Sequence, residues 1–195
     1  MNVKSSRAPG SAQREAILVA ATAAFLRYGF KKTSMDDVAQ AAGVSRQGLY
    51  LYFDTKDFLF REALQYLVSH YISTARSVAK DGNLSLRDRL LGVFEAVHGT
   101  AFESASPEHA FELLQSAQSA DGALLVQLDR DLMGIVAALL AEAGVADRWE
   151  EAGVTVAELS EQLLMTAKGI KASVDTLAAY RERMLTAIRI VTRSP

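Results

Sequence analysis

The sequence predicts an all-α protein, and three observations carry that prediction. Apolar residues recur at three- and four-residue spacing through most of the chain, the period of a helix face rather than of a strand. Only 3 prolines interrupt 195 residues, and the composition leans on Ala, Leu, Glu, Gln and Arg, which lose least on entering a helix. Glycines fall where the periodic runs stop, the usual place of a C-terminal cap. With 50% hydrophobic and 8% aromatic residues, the chain can bury a core in one or two domains. The runs add up to about nine helices.

Residues 1–10 are small, polar and basic, with Pro9 and Gly10, and read as a disordered arm. From Ser11 to Tyr28, Ile17, Ala20, Ala21, Ala24, Phe25 and Tyr28 recur with helical period, and Gly29 ends the run. The stretch Thr33 to Lys56 then reads as two short helices joined by a tight turn. Thr33 or Ser34 can cap the first, whose opening turn holds Asp36 and Asp37, and Met35, Val38, Ala39 and Ala42 form one apolar stripe. Gly43 stops it, Ser45 can cap the next helix, and Val44 and Leu49 fill the angle between the two. Residues 11–56 are thus a three-helix unit ending in a helix-turn-helix.

Such a motif lays its second helix in the DNA major groove, with the N-terminal side chains toward the base edges. Arg46, Gln47 and Gly48 stand there. Arginine can bond both acceptors of guanine and glutamine the donor and acceptor of adenine, whereas Gly48 admits close backbone approach at roughly 1 kcal/mol of helix propensity. Tyr50 and Tyr52, two residues apart, cannot both face the core. Their hydroxyls, with Thr33, Ser34, Ser45 and Lys56 near helix N-termini, are the phosphate-facing candidates. Charge agrees: residues 1–56 carry eight Lys and Arg against four Asp and Glu, and the remainder thirteen against nineteen. Only the front suits a polyanion.

The run Thr33 to Lys56, with Val38-Ala39 before Ala42-Gly43-Val44-Ser45, then Leu49-Tyr50, Tyr52-Phe53 and Lys56-Asp57, resembles the DNA-binding domain of the TetR family of transcriptional regulators. The resemblance covers about residues 13–60. It departs at Gly48, where the family usually has Thr, Ala or Ser. What it implies is a homodimer on a palindromic operator, usually a repressor, released when a small molecule binds a C-terminal helical domain.

Residues 57–195 would be that effector-binding and dimerisation domain. A continuous pattern from Thr55 to Ala79 makes a rod of about 37 Å, a natural lever between ligand and DNA. Asp81-Gly82-Asn83 breaks it, and Ser85 caps a helix with Leu86, Leu90, Leu91, Phe94 and Val97 on one face. Pro107 opens a shorter helix, and another runs from about Asp121 to Ala143, ending at Gly144. Small ligands bind between bundle helices, and Tyr71, Phe94, His98, Phe102, Phe111 and Gln115 are the candidate pocket wall. Trp149 sits in a loop that folds back on the bundle edge. Two helices finish the chain, about 155–173 and 175–192. Leu159, Leu163, Ile170, Tyr180, Met184 and Ile188 give them an apolar breadth suited to a four-helix dimer interface.

Enzymatic readings are thin. Without cysteine, disulfides and thiolate metal sites are excluded. Glu95-x-x-His98 is half of a carboxylate-bridged di-iron pattern, but no second copy exists among 3 histidines. Walker A, Gly-x-Ser-x-Gly and His-Glu-x-x-His are missing. Neither cofactor nor metal is therefore expected. The competing class is a helical small-molecule-binding protein or enzyme that keeps the N-terminal bundle as scaffold. The N-terminus lacks the apolar core of a signal peptide and no segment could span a membrane, so a cytoplasmic protein is expected.

Overall fold

The computed structural model describes residues 9–100, 102 and 107–192, the side chains of 9 and 107–114 excepted. Among these the fold is all-α: α1 Pro9–Lys32, α2 Met35–Ala41, α3 Arg46–Tyr50, α4 Lys56–Ala79, α5 Leu86–His98, α6 Pro107–Glu142, a 3-10 turn Ala146–Arg148, α7 Val156–Ser173 and α8 Leu177–Thr192. The expected disordered arm lies almost wholly outside the described residues. The two helices expected over 107–143 are one element here. Asp121 is extended within it (φ −159°, ψ 75°), so the break falls at the residue where the periodicity restarts.

The chain divides into two compact units, residues 1–68 with 104–123, and residues 69–103 with 124–195. Helices α4 and α6 each contribute their first part to one unit and the rest to the other.

In the first unit, α1 packs on α2 and α2 on α3. Ile17, Ala21, Phe25, Val38, Ala39, Leu49, Phe53, Leu59, Phe60 and Ala63 form the core. Its densest part is aromatic: the Phe60 ring lies 5.0 Å from Phe25 edge-on and 4.6 Å from Phe30. Edge-to-face pairs of this kind add about 0.5–1.5 kcal/mol beyond their buried area. Gly29 adopts φ 80°, which kinks the chain within α1 so that Phe30 can reach that cluster. Arg14 of α1 bonds Glu62 of α4 and lies 5.2 Å over the Phe53 ring, joining these helices across the unit.

In the second unit α8 packs on both α5 and α7. Leu90, Val93 and Phe94 of α5, Leu132, Val136 and Leu140 of α6, Leu163, Leu164 and Ala167 of α7, and Tyr180, Met184 and Ile188 of α8 are buried in this unit. The helix starts follow capping chemistry. Ser85 accepts from the Asp88 N–H, and Thr155 with Glu158 forms a capping box in which each partner takes the other's backbone N–H. Trp149 does fold back as its loop position suggests, its indole N–H donating to Val191 O at 2.9 Å while Arg148 bonds Thr192 O at 2.8 Å. Among the described residues no helix is long and apolar enough to cross a membrane.

Candidate nucleic-acid interface

Helices α2 and α3 are short, so their ends rather than their lengths fix them. Ser34 is the cap of α2, and it makes a capping box with Asp37: its hydroxyl accepts the Asp37 N–H at 3.1 Å and its own N–H donates to the Asp37 carboxylate at 2.8 Å. The hydrogen bonds from Ser34 hold the Asp37 carboxyl below the ordinary carboxylate range. Gly43 closes α2 in the left-handed region at φ 66°, and Val44 N–H returns to Ala39 O at 3.0 Å. Ser45 then opens α3, accepting the Gly48 N–H at 3.0 Å. A turn held at both sides by backbone bonds presents α3 in one orientation.

α3 is sharply two-sided. Leu49 and, just past the helix, Phe53 are 0% exposed. Ser45, Arg46, Gln47 and Tyr50 are exposed, and Gly48 and Tyr52 half-buried. The Arg46 guanidinium reaches back to Asp36 of α2 at 2.9 Å and lies 5.8 Å from the Tyr50 ring centroid. An exposed ion pair of this kind is worth about 0–1 kcal/mol. A base edge offering two acceptors can displace it.

Two of the expected phosphate-facing residues are engaged inside the protein instead. Thr33 is 1% exposed, and its hydroxyl donates to Gly29 O at 2.8 Å. The Lys56 ammonium donates to Phe30 O at 3.0 Å and Thr33 O at 3.2 Å while lying 4.4 Å over the Phe30 ring. Together they fasten the approach to α2 onto α1 and α4. Sequence spacing put both residues near helix starts, but it carries no information on which carbonyls lie within their reach. Sequence reasoning also missed Leu51, whose side chain is 81% exposed. An apolar residue inside an apolar run reads as core unless the outward face of the helix is known.

The candidate pocket residues separate. Tyr71, Phe94, His98 and Phe102 belong to the second unit. There His98 Nδ1 and the Tyr180 hydroxyl share a hydrogen bond of 2.8 Å, Tyr71 and Thr100 share one of 2.6 Å, and Phe102 lies 5.5 Å from the Tyr180 ring. Burial, helped by the nearby Lys171 and Lys168, pushes the His98 pKa down to about 3, so this imidazole is neutral at pH 7. Burial also raises the Tyr180 hydroxyl, with Glu95 adding to it, and lowers the Lys171 ammonium. Phe94 is fully buried packing. Gln115 is exposed in the first unit, on an open groove of about 530 Å³ lined also by Phe30, Lys31, Phe60 and Arg61. The side chain of Phe111 is outside the described residues.

The candidate dimer residues are in large part interior. Leu159, Leu163, Tyr180, Met184 and Ile188 are buried within the single chain, with Ile170 half-buried. The apolar breadth of α7 and α8 is taken up by α5 and by each other. The large apolar side chains these two helices do expose are Met165 and Ile190. Glu95 and His98, the half di-iron pattern, are directed to Arg181 at 2.5 Å and to Tyr180. Among the described residues no group of His, Asp and Glu is placed to hold a metal.

Known proteins share this arrangement. The profile described as "Bacterial regulatory proteins, tetR family" matches residues 17–63, the span from within α1 to the first turns of α4. The HTH-type transcriptional activator FasR of Mycolicibacterium smegmatis is 33% identical over 95 residues, 49% of this chain and 43% of its own. The HTH-type transcriptional regulator RutR of Escherichia coli is 35% identical over 78 residues, 40% of this chain and 36% of its own. The chain therefore spans about two fifths of the length of the curated relatives it matches. Among solved structures, E. coli NemR in its reduced form superposes with a TM-score of 0.71 at 15% identity, over 94% of this chain and 99% of that one. A TetR-like regulator from Rhodococcus sp. RHA1 gives 0.62 at 24% identity, over 95% and 98%. At these identities the structural likeness is one of fold. The tetR-family profile lies on the helix-turn-helix, helix-turn-helix regulators align there, and TetR-like regulators share the fold over nearly the whole chain: by sequence within residues 17–63, and by fold beyond them, this protein is similar to the TetR family of transcriptional regulators.

Proposed function

We propose that the chain is a sequence-specific DNA-binding transcription regulator that reads a duplex with α3. The observation that carries this is the two-sidedness of α3: Leu49 and Phe53 wholly inside, Arg46, Gln47 and Tyr50 outside, on a turn fixed by the Ser34 and Ser45 caps. Arg46 and Gln47 supply sequence choice, while Ser34, Ser45, Tyr50 and Tyr52 face phosphate and sugar. Thr33 and Lys56 act indirectly, by holding the entry to α2. In the form we favour, two copies bind a palindromic operator through major grooves about 34–36 Å apart and repress, and a small effector bound in the C-terminal helices releases them. The family resemblance supports this form. One aligned relative is named as an activator, so the direction of regulation is the part to be read from the promoter.

The test is a gel shift with the full chain and a duplex selected from a random pool. Arg46→Ala should weaken binding by about 1–3 kcal/mol, Tyr50→Phe by less, and wild-type affinity should fall steeply with salt. Recovery of no sequence, or unchanged affinity in both variants, would overturn the assignment of α3.

A further inference from the structure

Leu51 is the most exposed of the protein's described large apolar side chains, at 81%, against 57% for the next. Single exposed leucines are ordinary on protein surfaces. This one is set apart by its place. Its backbone is still helical (φ −68°, ψ −21°) and its N–H bonds Gln47 O at 3.2 Å, so it continues α3 by one residue. At a separation of four, Leu51 and Gln47 share a helix face, and a helical side chain leans toward the turn N-terminal to it. That turn contains Gly48.

Leaving aside its chain neighbours and the helix backbone, a Cβ placed on Gly48 would meet the Ser45 hydroxyl at 3.1 Å and Val44 Cβ at 3.9 Å, and no side-chain atom of Leu51 within 4 Å. One turn before the exposed isobutyl group of Leu51, and on the neighbouring strip of the helix, Gly48 thus leaves backbone bare of any side chain, and we call this step in the surface a notch. It has no charge and no donor of its own, because the Gly48 N–H is already given to Ser45. We propose that this notch takes the C5-methyl group of a thymine, making Leu51 a specificity-determining residue of the DNA-reading function proposed above, on which the inference rests. In the major groove the methyl is the one apolar feature that separates thymine from cytosine, and it is read by apolar side chains. Gly48 and Leu51 act as a pair: the first removes the obstruction, the second supplies the contact. Arg46 and Gln47 read hydrogen-bonding edges on the same turn, so the notch adds a kind of information they cannot.

The experiment uses the full chain and its selected duplex, with each thymine replaced in turn by deoxyuridine, which deletes one methyl and leaves pairing intact. Wild type should lose about fourfold in affinity at one thymine of the half-site, the worth of one buried methyl, and little at the others. In Leu51→Ala the thymine and uracil duplexes should bind equally at that position, and Leu51→Met should restore part of the difference. Because Leu51 is exposed, its variants should melt at the wild-type temperature. Insensitivity of wild type to every substitution, an equal loss in Leu51→Ala, or a half-site without thymine overturns the notch, while Arg46→Ala still weakening binding leaves the DNA-reading function standing. If no sequence is selected at all, both fall together.

Discussion

The α2–α3 pair and the α7–α8 pair are both helices joined by a few residues, yet they use their side chains in opposite ways. In the first, two short helices bury a small set, Met35, Val38, Ala39 and Leu49, and leave their polar residues exposed at the surface. In the second, two long helices turn Leu159, Leu163, Leu164, Tyr180, Met184 and Ile188 inward, where α5 and each helix cover them. Apolar breadth on a terminal helix is thus no measure of a missing partner when its own chain supplies two neighbours. The first region is built to present chemistry, the second to be stable.

That contrast is broken most directly by one substitution in each region. Phe94→Ala deletes a wholly buried ring in the second unit and should cost about 3–5 kcal/mol, seen as a large fall in the urea midpoint. Arg46→Ala, at an exposed position, should change the unfolding free energy by less than about 0.5 kcal/mol while weakening DNA binding. If Arg46→Ala destabilised the fold as Phe94→Ala does, α3 would be structural and the division would fail.

The buried polar pair sharpens the same division through pH. His98 has a folded pKa of about 3 against 6.5 for the free side chain, because burial excludes the charge. Between these values the unfolded chain binds a proton that the folded chain refuses. Stability from this group is therefore complete above pH 6.5 and declines as pH falls toward 3, at up to about 1.4 kcal/mol per pH unit. Between pH 7.5 and 4.5 the loss should be about 2–3 kcal/mol beyond that of His98→Asn, whose amide can keep the Tyr180 bond without titrating. Parallel urea titrations of the two proteins give the difference directly. Equal slopes would mean that water reaches the imidazole.

Much of the first region was legible in the sequence and much less of the second, for a physical reason. Caps, left-handed glycines and four-residue spacing act over a few residues, so Gly43, Ser45 and the break at Asp121 could be placed from neighbours alone, and the cap of α2 narrowed to Thr33 or Ser34. The partners of Lys56, Tyr180 and His98 lie 26 or 82 residues away, and no local rule brings them together. Composition could say that Tyr180 and Met184 belong to an apolar face, but only the fold says what covers it. Leu51 failed in the other direction: its apolar neighbours hid the fact that it stands on the outward face of α3.

The local rules can themselves be compared across the two regions. Ser34–Asp37 and Thr155–Glu158 are the same capping box, one on a helix of 7 residues and one on 18. Ser34→Ala and Thr155→Ala should each cost about 1 kcal/mol of stability. Ser34→Ala should also weaken DNA binding, since α2 has too few residues to hold its register without its cap, and Thr155→Ala should not. A matched loss of DNA affinity in both would show that the cap of α2 has no special part in presenting α3.

The smallest effect is expected at Gly48, where two local terms nearly cancel. Alanine there gains about 1 kcal/mol of helix propensity. Its Cβ, however, would stand 3.1 Å from the Ser45 hydroxyl, and that hydroxyl is the cap accepting the Gly48 N–H at 3.0 Å. Moving it by a few tenths of an ångström lengthens a bond worth about 1 kcal/mol. Gly48→Ala should therefore change the unfolding free energy, read from urea titration, by no more than about 0.5 kcal/mol. A gain near 1 would show that Ser45 yields freely, and a loss near 1 that the cap is broken. Either way the methyl covers the bare backbone one turn before Leu51, so the variant should lose preference for thymine over uracil while its fold is almost unchanged. That outcome would place the reason for this glycine in what α3 reads rather than in how α3 folds.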